Sequence, residues 1–393
     1  MTDSFRSLFN YPSQLTYLNS GSVSLTPNSV LTKVQEEKSL MEKNPTAALF
    51  GAWERMWKTQ KELALFVHAD PRHLYLRSNV TIVMNDFLLA LRLPPESEIL
   101  ISDLEYGAIV RMCEYKAKIE GHTLRVVSLF DQGEDPSKLT EEQIVSNVSK
   151  SLGPKTKLVM MSHVMTGNGL VLPIEKLASL FRSKNILFAV DGAHGAGALP
   201  LDFSQSKVDF YGSNLHKWVM GPKGTGFGYV SPSVRDLLEP QFAGWTTGKV
   251  LPHFAVFGEG DPWTARWMIC STHNFSDFYG LDETFRFWHQ QGSGKINQQI
   301  AALSMLTEKL VTEKTGWKCL SAFPDSLRGP LTAFELPPKL AELEMDLMRK
   351  MYYDHKIVIS MTHIQGDWCL RLSPHIYNSE EEISQVAQVL SEL

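Results

Sequence analysis

No basic arm or patch stands out in this sequence: 38 lysines and arginines are spread among 43 aspartates and glutamates, for a formal net charge of -5. Nucleic acid and anionic membranes call for such a patch, so neither is an expected partner, and small molecules are. No apolar run approaches the roughly 18 residues of a membrane helix. The N-terminal Met1-Thr-Asp-Ser-Phe-Arg6 also has no charged start followed by an apolar core, so a cytoplasmic protein is expected. Cysteine is scarce. The four residues Cys113, Cys270, Cys319 and Cys369 show no metal-ligand spacing, and beside 15 methionines they fit a reducing interior better than a disulfide scaffold. Internal repeats and low-complexity segments are missing, and no Gly-x-Gly-x-x-Gly turn follows an early strand, which excludes a nicotinamide site of that kind.

What is present fits a globular protein with an ample core: 393 residues, 43% hydrophobic and 21% charged, long enough for two or three domains. Short apolar runs at 97–102, 124–129, 157–162 and 186–190 alternate with amphipathic stretches at 108–120, 141–152 and 174–183. Strand, helix, strand, helix predicts an α/β fold with a mainly parallel sheet, and ligands then belong at the carboxyl ends of the strands. After about residue 280 the texture changes to a long helical stretch, 282–313, interrupted at Gly292-Ser-Gly294, and then to shorter strand candidates at 331–335, 356–360 and 368–372. The expected division is an N-terminal segment 1–20, a large domain 21–280 and a smaller α+β domain 281–393. The stretch 252–262 reads as an ordered loop.

Two residues carry the first chemical signal. Asp191 ends the strand-like run Ile186-Leu-Phe-Ala-Val-Asp191, and Lys217 follows within Gly212-Ser-Asn-Leu-His-Lys-Trp218. A lysine amine forms a Schiff base with an aldehyde, and a carboxylate against a pyridine nitrogen keeps it protonated, so the pair reads as two halves of a pyridoxal phosphate site. A helix-capping Asp191 and a solvated Lys217 are the plainer alternatives. The polar turn Ser78-Asn-Val-Thr81 before an apolar helical run offers backbone amides and a hydroxyl to a phosphate, although a simple N-cap uses the same groups.

On these motifs, and from Tyr17-Leu-Asn-Ser-Gly21 to Arg371-Leu-Ser-Pro-His-Ile-Tyr-Asn378, the chain resembles class V aminotransferase-type enzymes of pyridoxal phosphate fold type I. Within them it is similar to the branch of isopenicillin N epimerase-like and ergothioneine-pathway carbon-sulfur lyase-like proteins. The resemblance implies pyridoxal 5'-phosphate held by Lys217 as Schiff-base lysine, with Asp191 on the ring nitrogen and His194 beside the ring. It implies a phosphate site from Asn79, Val80, Thr81, Asn214 and His216, and Thr272 reaching the phosphate of the neighbouring subunit of a homodimer. Tyr106 stands where many relatives stack a histidine on the ring. Thr166, with Asn168 competing, faces the phenolic oxygen. Arg371 would clamp an α-carboxylate bidentately, with Asn19 completing the site and Trp245, in the loop 241–248, shaping the pocket.

The stretch 358–367 lacks the mobile cysteine that persulfide-forming desulfurases of this family carry, and Cys369 sits in an apolar setting. Three reactions on an amino acid remain: a carbon-sulfur (β-elimination) lyase first, then an epimerase with a second base, then an aminotransferase. An inactive homologue serving as a binding protein is the remote alternative.

Overall fold

In a computed structural model of the protein, residues 3–130, 135–244, 246–247 and 260–393 are described. Seven strands form the central sheet in the order Leu74–Arg77, Gly226–Val230, Phe210–Asn214, Leu187–Asp191, Thr156–Ser162, Glu98–Ser102, Thr123–Val127. Neighbours run parallel except around Gly226–Val230, which is antiparallel to both strands beside it. Near-continuous apolar runs such as Leu187–Asp191 and Thr156–Ser162 are buried almost throughout, as strands covered by helices on both faces must be. The edge strand Thr123–Val127 is largely exposed. The helices Val80–Ala90, Gly107–Glu120, Glu141–Lys150 and Ile174–Ser183 follow their strands closely, which gives the α/β architecture the alternation predicts.

Smaller sheets lie in the C-terminal part. Thr332–Glu335, Asp367–Leu372 and Ser360–Ile364 form an antiparallel sheet. The single strand expected at 356–360 is divided: Ile357–Val358 pairs in parallel with Thr16–Tyr17, while Ser360–Ile364 turns into a hairpin with Asp367–Leu372. That hairpin closes through Gln365 and Gly366 at φ 51° and 102°, the positive values a two-residue turn needs. Leu18, Leu347, Met351, Leu370 and Val386 belong to a hydrophobic cluster of this part.

The helical stretch breaks at Gly292 into Leu281–Gln291 and Ser293–Thr315. Phe285, Trp288, Ile296 and Ile300 bury in the large cluster under the central sheet, whereas Val311 joins the second cluster, so Ser293–Thr315 spans both. Among the described residues no helix is long and apolar enough to cross a membrane.

This topology fixes the site. Asn79 follows the strand Leu74–Arg77, Tyr106 follows Glu98–Ser102, Thr166 follows Thr156–Ser162, and Asp191 and Asn214 each end a strand. Five strand ends thus bring polar side chains to one edge of the sheet.

Candidate active site

Lys217 sits on a tight turn just past Asn214. Within it the Gly221 amide donates to the Leu215 carbonyl at 2.7 Å and the Met220 amide to the Lys217 carbonyl at 2.9 Å. Met220 holds φ at 61°, a left-handed conformation that costs a non-glycine residue about 1–3 kcal/mol, so the surrounding contacts impose the turn. A Cβ on Gly197 would lie 2.6 Å from the Trp218 carbonyl carbon, which is why the Asp191-Gly-Ala-His-Gly-Ala-Gly197 segment can press against this turn. Lys217 Nζ then comes within 3.5 Å of His194 Nε2. Loss of hydration pushes the amine down to about 8; Asp191 acts in the opposite direction, and Arg371 adds to the fall.

Asp191 does not cap a helix. Its Oδ1 accepts from the Ala193 amide at 2.8 Å, and no helix follows. Burial raises its pKa, partly offset by Ala193 and by Lys217. His194 Nδ1 accepts the Trp218 indole N–H at 3.1 Å, and burial, Lys217 and Arg371 hold the imidazole neutral far below its usual range.

A cavity of about 240 Å³ opens above Lys217. Asn79, Val80 and Thr81 line one wall, Tyr106 and Thr166 another, and Asn214, His216 and Arg371 complete it with Gly21, Ser22 and Ala193. The structure shows an N-cap at 78–81, supplied by Asn79. Asn79 Oδ1 caps the helix Val80–Ala90 by accepting from the Ile82 amide at 3.0 Å, and Asn214 Oδ1 accepts from the Val80 amide at 2.9 Å. The cap therefore uses neither the Ser78 nor the Thr81 hydroxyl. His216 Nδ1 donates to the Thr225 carbonyl at 2.9 Å, and burial pushes its pKa to about 4.

Arg371 is buried, on the strand Asp367–Leu372. Its Nη1 donates to the Thr166 carbonyl at 3.0 Å, and its Nη2 to Ser22 Oγ at 3.0 Å and Ser360 Oγ at 3.1 Å. Nε is buried without an acceptor, and no acidic side chain among the described residues forms an ion pair with the guanidinium. Burial pushes its pKa down to about 10 against the pull of Tyr106. The buried Asn19 Oδ1 also lacks a donor. An uncompensated buried cation is costly, and a carboxylate ligand removes the cost.

Not every expected residue gathers here. Asn168 turns away: its Oδ1 accepts from the Leu170 amide and its carbonyl accepts from Ser321 Oγ. Thr272 is exposed and off its own chain's cavity. Trp245 lies outside the described residues, as do Gly248 and most of the loop 252–262. Sequence reasoning missed Ser22, Ser360, Trp218 and Glu105. The half-buried Glu105 carboxylate accepts from Ser102 Oγ and Ser162 Oγ at 2.6 Å each, and desolvation raises it to about 7. Ser22, Trp218 and Glu105 adjoin residues already singled out and Ser360 ends a strand candidate, but the partners that give Ser360 and Glu105 their roles are distant in sequence. No cysteine lines the cavity, and burial raises the Cys369 thiol to about 11.

These groups suit pyridoxal 5'-phosphate: an amine of lowered pKa for the aldehyde, a carboxylate for the ring nitrogen, an aromatic face, and a helix start with a free hydroxyl for the phosphate. Three larger clefts, of about 800, 850 and 420 Å³, open elsewhere, the last lined by Lys150 and Lys176, so neither volume nor a lysine alone locates the chemistry.

Comparison with known proteins agrees. The family described as aminotransferase class-V matches residues 16–386. The chain is 30% identical over 381 residues to isopenicillin N epimerase of Streptomyces clavuligerus, across 96% of this chain and 94% of that protein. It is 21% identical over 343 residues to hercynylcysteine sulfoxide lyase of Schizosaccharomyces pombe, across 86% and 83%. A solved complex between the cystine C-S lyase C-DES and its reaction product cysteine persulfide matches with a TM-score of 0.85 and 24% identity, covering 97% of this chain and 98% of that one, a likeness of fold.

Proposed function

The chain belongs to the aminotransferase class-V family of pyridoxal phosphate-dependent enzymes, and from that premise we propose that it is a carbon-sulfur lyase acting on an α-amino acid by β-elimination. The observation that carries the reading is the Arg371 guanidinium, buried without a counter-charge on the cavity that holds Lys217.

In this reading Lys217 would hold the cofactor through its aldehyde, and Asp191 would pair with the ring nitrogen. Asn79, Val80, Thr81, Asn214 and His216 would hold the phosphate, and Tyr106, Thr166 and His194 would hold the ring. Thr272, exposed here, reaches the phosphate of a second copy in a homodimer. When bound, the cofactor supplies an electron sink for charge developing at the substrate α-carbon.

The chain's own residues do the rest. Arg371 binds the α-carboxylate, with Ser22 holding the guanidinium and Asn19 beside it, and so fixes the α-C–H relative to Lys217. Lys217, its amine lowered to about 8, is about half neutral near pH 8 and would serve as the base that takes the α-proton through Nζ. Elimination needs this one base. No cysteine lines the cavity to receive sulfur, which supports release of a sulfur product over persulfide transfer to the protein.

A second reading, epimerisation, has its own support in the likeness to isopenicillin N epimerase and in Tyr106, which brings a hydroxyl to the cavity as a candidate second proton carrier. Incubation of the holoenzyme with a panel of amino acids in deuterated water separates the readings. Elimination gives a 2-oxo acid that has lost the β-sulfur, together with ammonia and a sulfur product, epimerisation gives α-deuteration with inversion, and transamination gives pyridoxamine phosphate with the 2-oxo acid that keeps the whole side chain. Inversion, or pyridoxamine phosphate formation, without release of a sulfur product contradicts the lyase assignment.

A further inference from the structure

We propose that Trp218 is a positioning residue that sets the charge state of Lys217 through the tautomer of His194, an inference that rests on Lys217 being the cofactor-bearing lysine. An indole nitrogen donates a hydrogen bond and has no lone pair to accept one. Because the Trp218 N–H points at His194 Nδ1 from 3.1 Å, that nitrogen must be bare, and the proton of the neutral ring is confined to Nε2. Nε2 lies 3.5 Å from Lys217 Nζ. An N–H facing the lysine accommodates an amine with a lone pair and opposes an ammonium, since two donors then confront each other.

The indole has little room to turn away. Trp218 is fully buried, and its carbonyl accepts from His375 Nε2 at 3.0 Å. The His375 ring stacks on it with centroids 5.7 Å apart, and His375 Nδ1 accepts from the Ile376 amide at 2.8 Å. The charged groups acting on Lys217 are Asp191, which favours the ammonium, and Arg371, which opposes it. His194 faces Lys217 and Arg371, and both disfavour its protonation. A ring flipped to the Nδ1–H tautomer would turn a bare nitrogen toward Lys217 and side with Asp191. The indole N–H forbids that tautomer and so keeps the lysine a nucleophile.

Trp218→Phe retains the ring stack and removes the N–H. The full-length chain is mixed with pyridoxal 5'-phosphate across a pH series and quenched with borohydride, and the initial rate of adduct formation at Lys217 is read by peptide mass. In Trp218→Phe the midpoint of this profile rises by about one pH unit, roughly one buried hydrogen bond exchanged for its loss, so that the rate below the midpoint falls about tenfold. In a His194→Phe background, where no ring nitrogen lies between the indole and the amine, Trp218→Phe leaves the midpoint where it was; a merely structural role would shift both backgrounds alike. An unmoved midpoint in the single variant, or equal shifts in both backgrounds, overturns the proposal. Absence of any adduct at Lys217 in the unsubstituted chain overturns the cofactor reading instead. Nitrogen NMR of the histidine-labelled, unsubstituted chain gives an answer even where Trp218→Phe does not fold: a bare Nδ1 and protonated Nε2 at His194 are expected, and the reverse assignment contradicts the lock.

Discussion

Arg371 Nη1 donates to the backbone carbonyl of Thr166 at 3.0 Å, joining the three-stranded C-terminal sheet to the loop that follows a central-sheet strand. The candidate carboxylate clamp and the wall of the cavity are therefore held in register by one contact, with Ser22, just after the strand Thr16–Tyr17, as a third party. A displacement of any of the three segments moves the clamp relative to Lys217, and orientation at a reacting carbon tolerates little of that.

Replacing Arg371 by lysine keeps a charge but removes the planar fork. Loss of a buried bidentate contact worth about 2–3 kcal/mol predicts a KM for the amino acid raised roughly 30- to 150-fold. Cofactor absorbance stays as in the unsubstituted enzyme. Steady-state kinetics with parallel spectra check this, and an unchanged KM removes Arg371 from substrate binding.

Asn214→Ala deletes the acceptor for the Val80 amide at the start of the helix Val80–Ala90. One buried hydrogen bond at the phosphate turn, worth about 1 kcal/mol, predicts cofactor affinity weakened about fivefold. Equilibrium dialysis of the cofactor against both proteins measures it, and equal affinities would place the phosphate elsewhere.

Glu105 predicts a pH signature in stability. Its folded pKa, raised by burial to about 7 from an ordinary 4.5, means that the folded state holds the proton more tightly than the unfolded chain between those values. Stability is therefore lost as pH rises from about 4.5 to 7, by an amount on the order of 3 kcal/mol, and the loss persists above. Glu105→Gln removes this contribution, so its denaturation free energy falls less than that of the unsubstituted protein from pH 5 to pH 8. Parallel curves for the two proteins would contradict the assignment.

Much of the fold is written in local pattern, because unbroken apolar runs such as Leu187–Asp191 can only be strands buried on both faces. The reversed strand Gly226–Val230 escaped that logic: its glycines look like turn residues, yet a Cβ on Gly228 would lie 2.4 Å from the Tyr75 ring, so glycine is there to let an aromatic cross the strand. Leu281–Gln291 misleads in the opposite way. Its amphipathic pattern signals a buried face but not which core receives Phe285 and Trp288, and that core is the large one. Lys217, Asp191 and Arg371 are legible because a charged group in an apolar setting is costly without a ligand. Ser360 and Glu105 are not, since their partners Arg371 and Ser162 are distant in sequence and only the fold introduces them.

Cys369→Ala tests the absence of sulfur transfer to the protein. The buried thiol donates to the Asp367 carbonyl, so the substitution costs about 1 kcal/mol of stability and leaves turnover within about twofold. Turnover abolished in a folded Cys369→Ala protein would make this cysteine a participant.

The most direct test of the whole account is a peptide map of the holoenzyme after borohydride reduction. The reduced cofactor is expected on Lys217 alone, with Lys223 as the internal control: its amine is also pushed down to about 8, but it bonds to Thr26 Oγ1, and the residue does not line the cavity. Modification of Lys223 or another lysine with Lys217 untouched, or no modification at all, would contradict the site described.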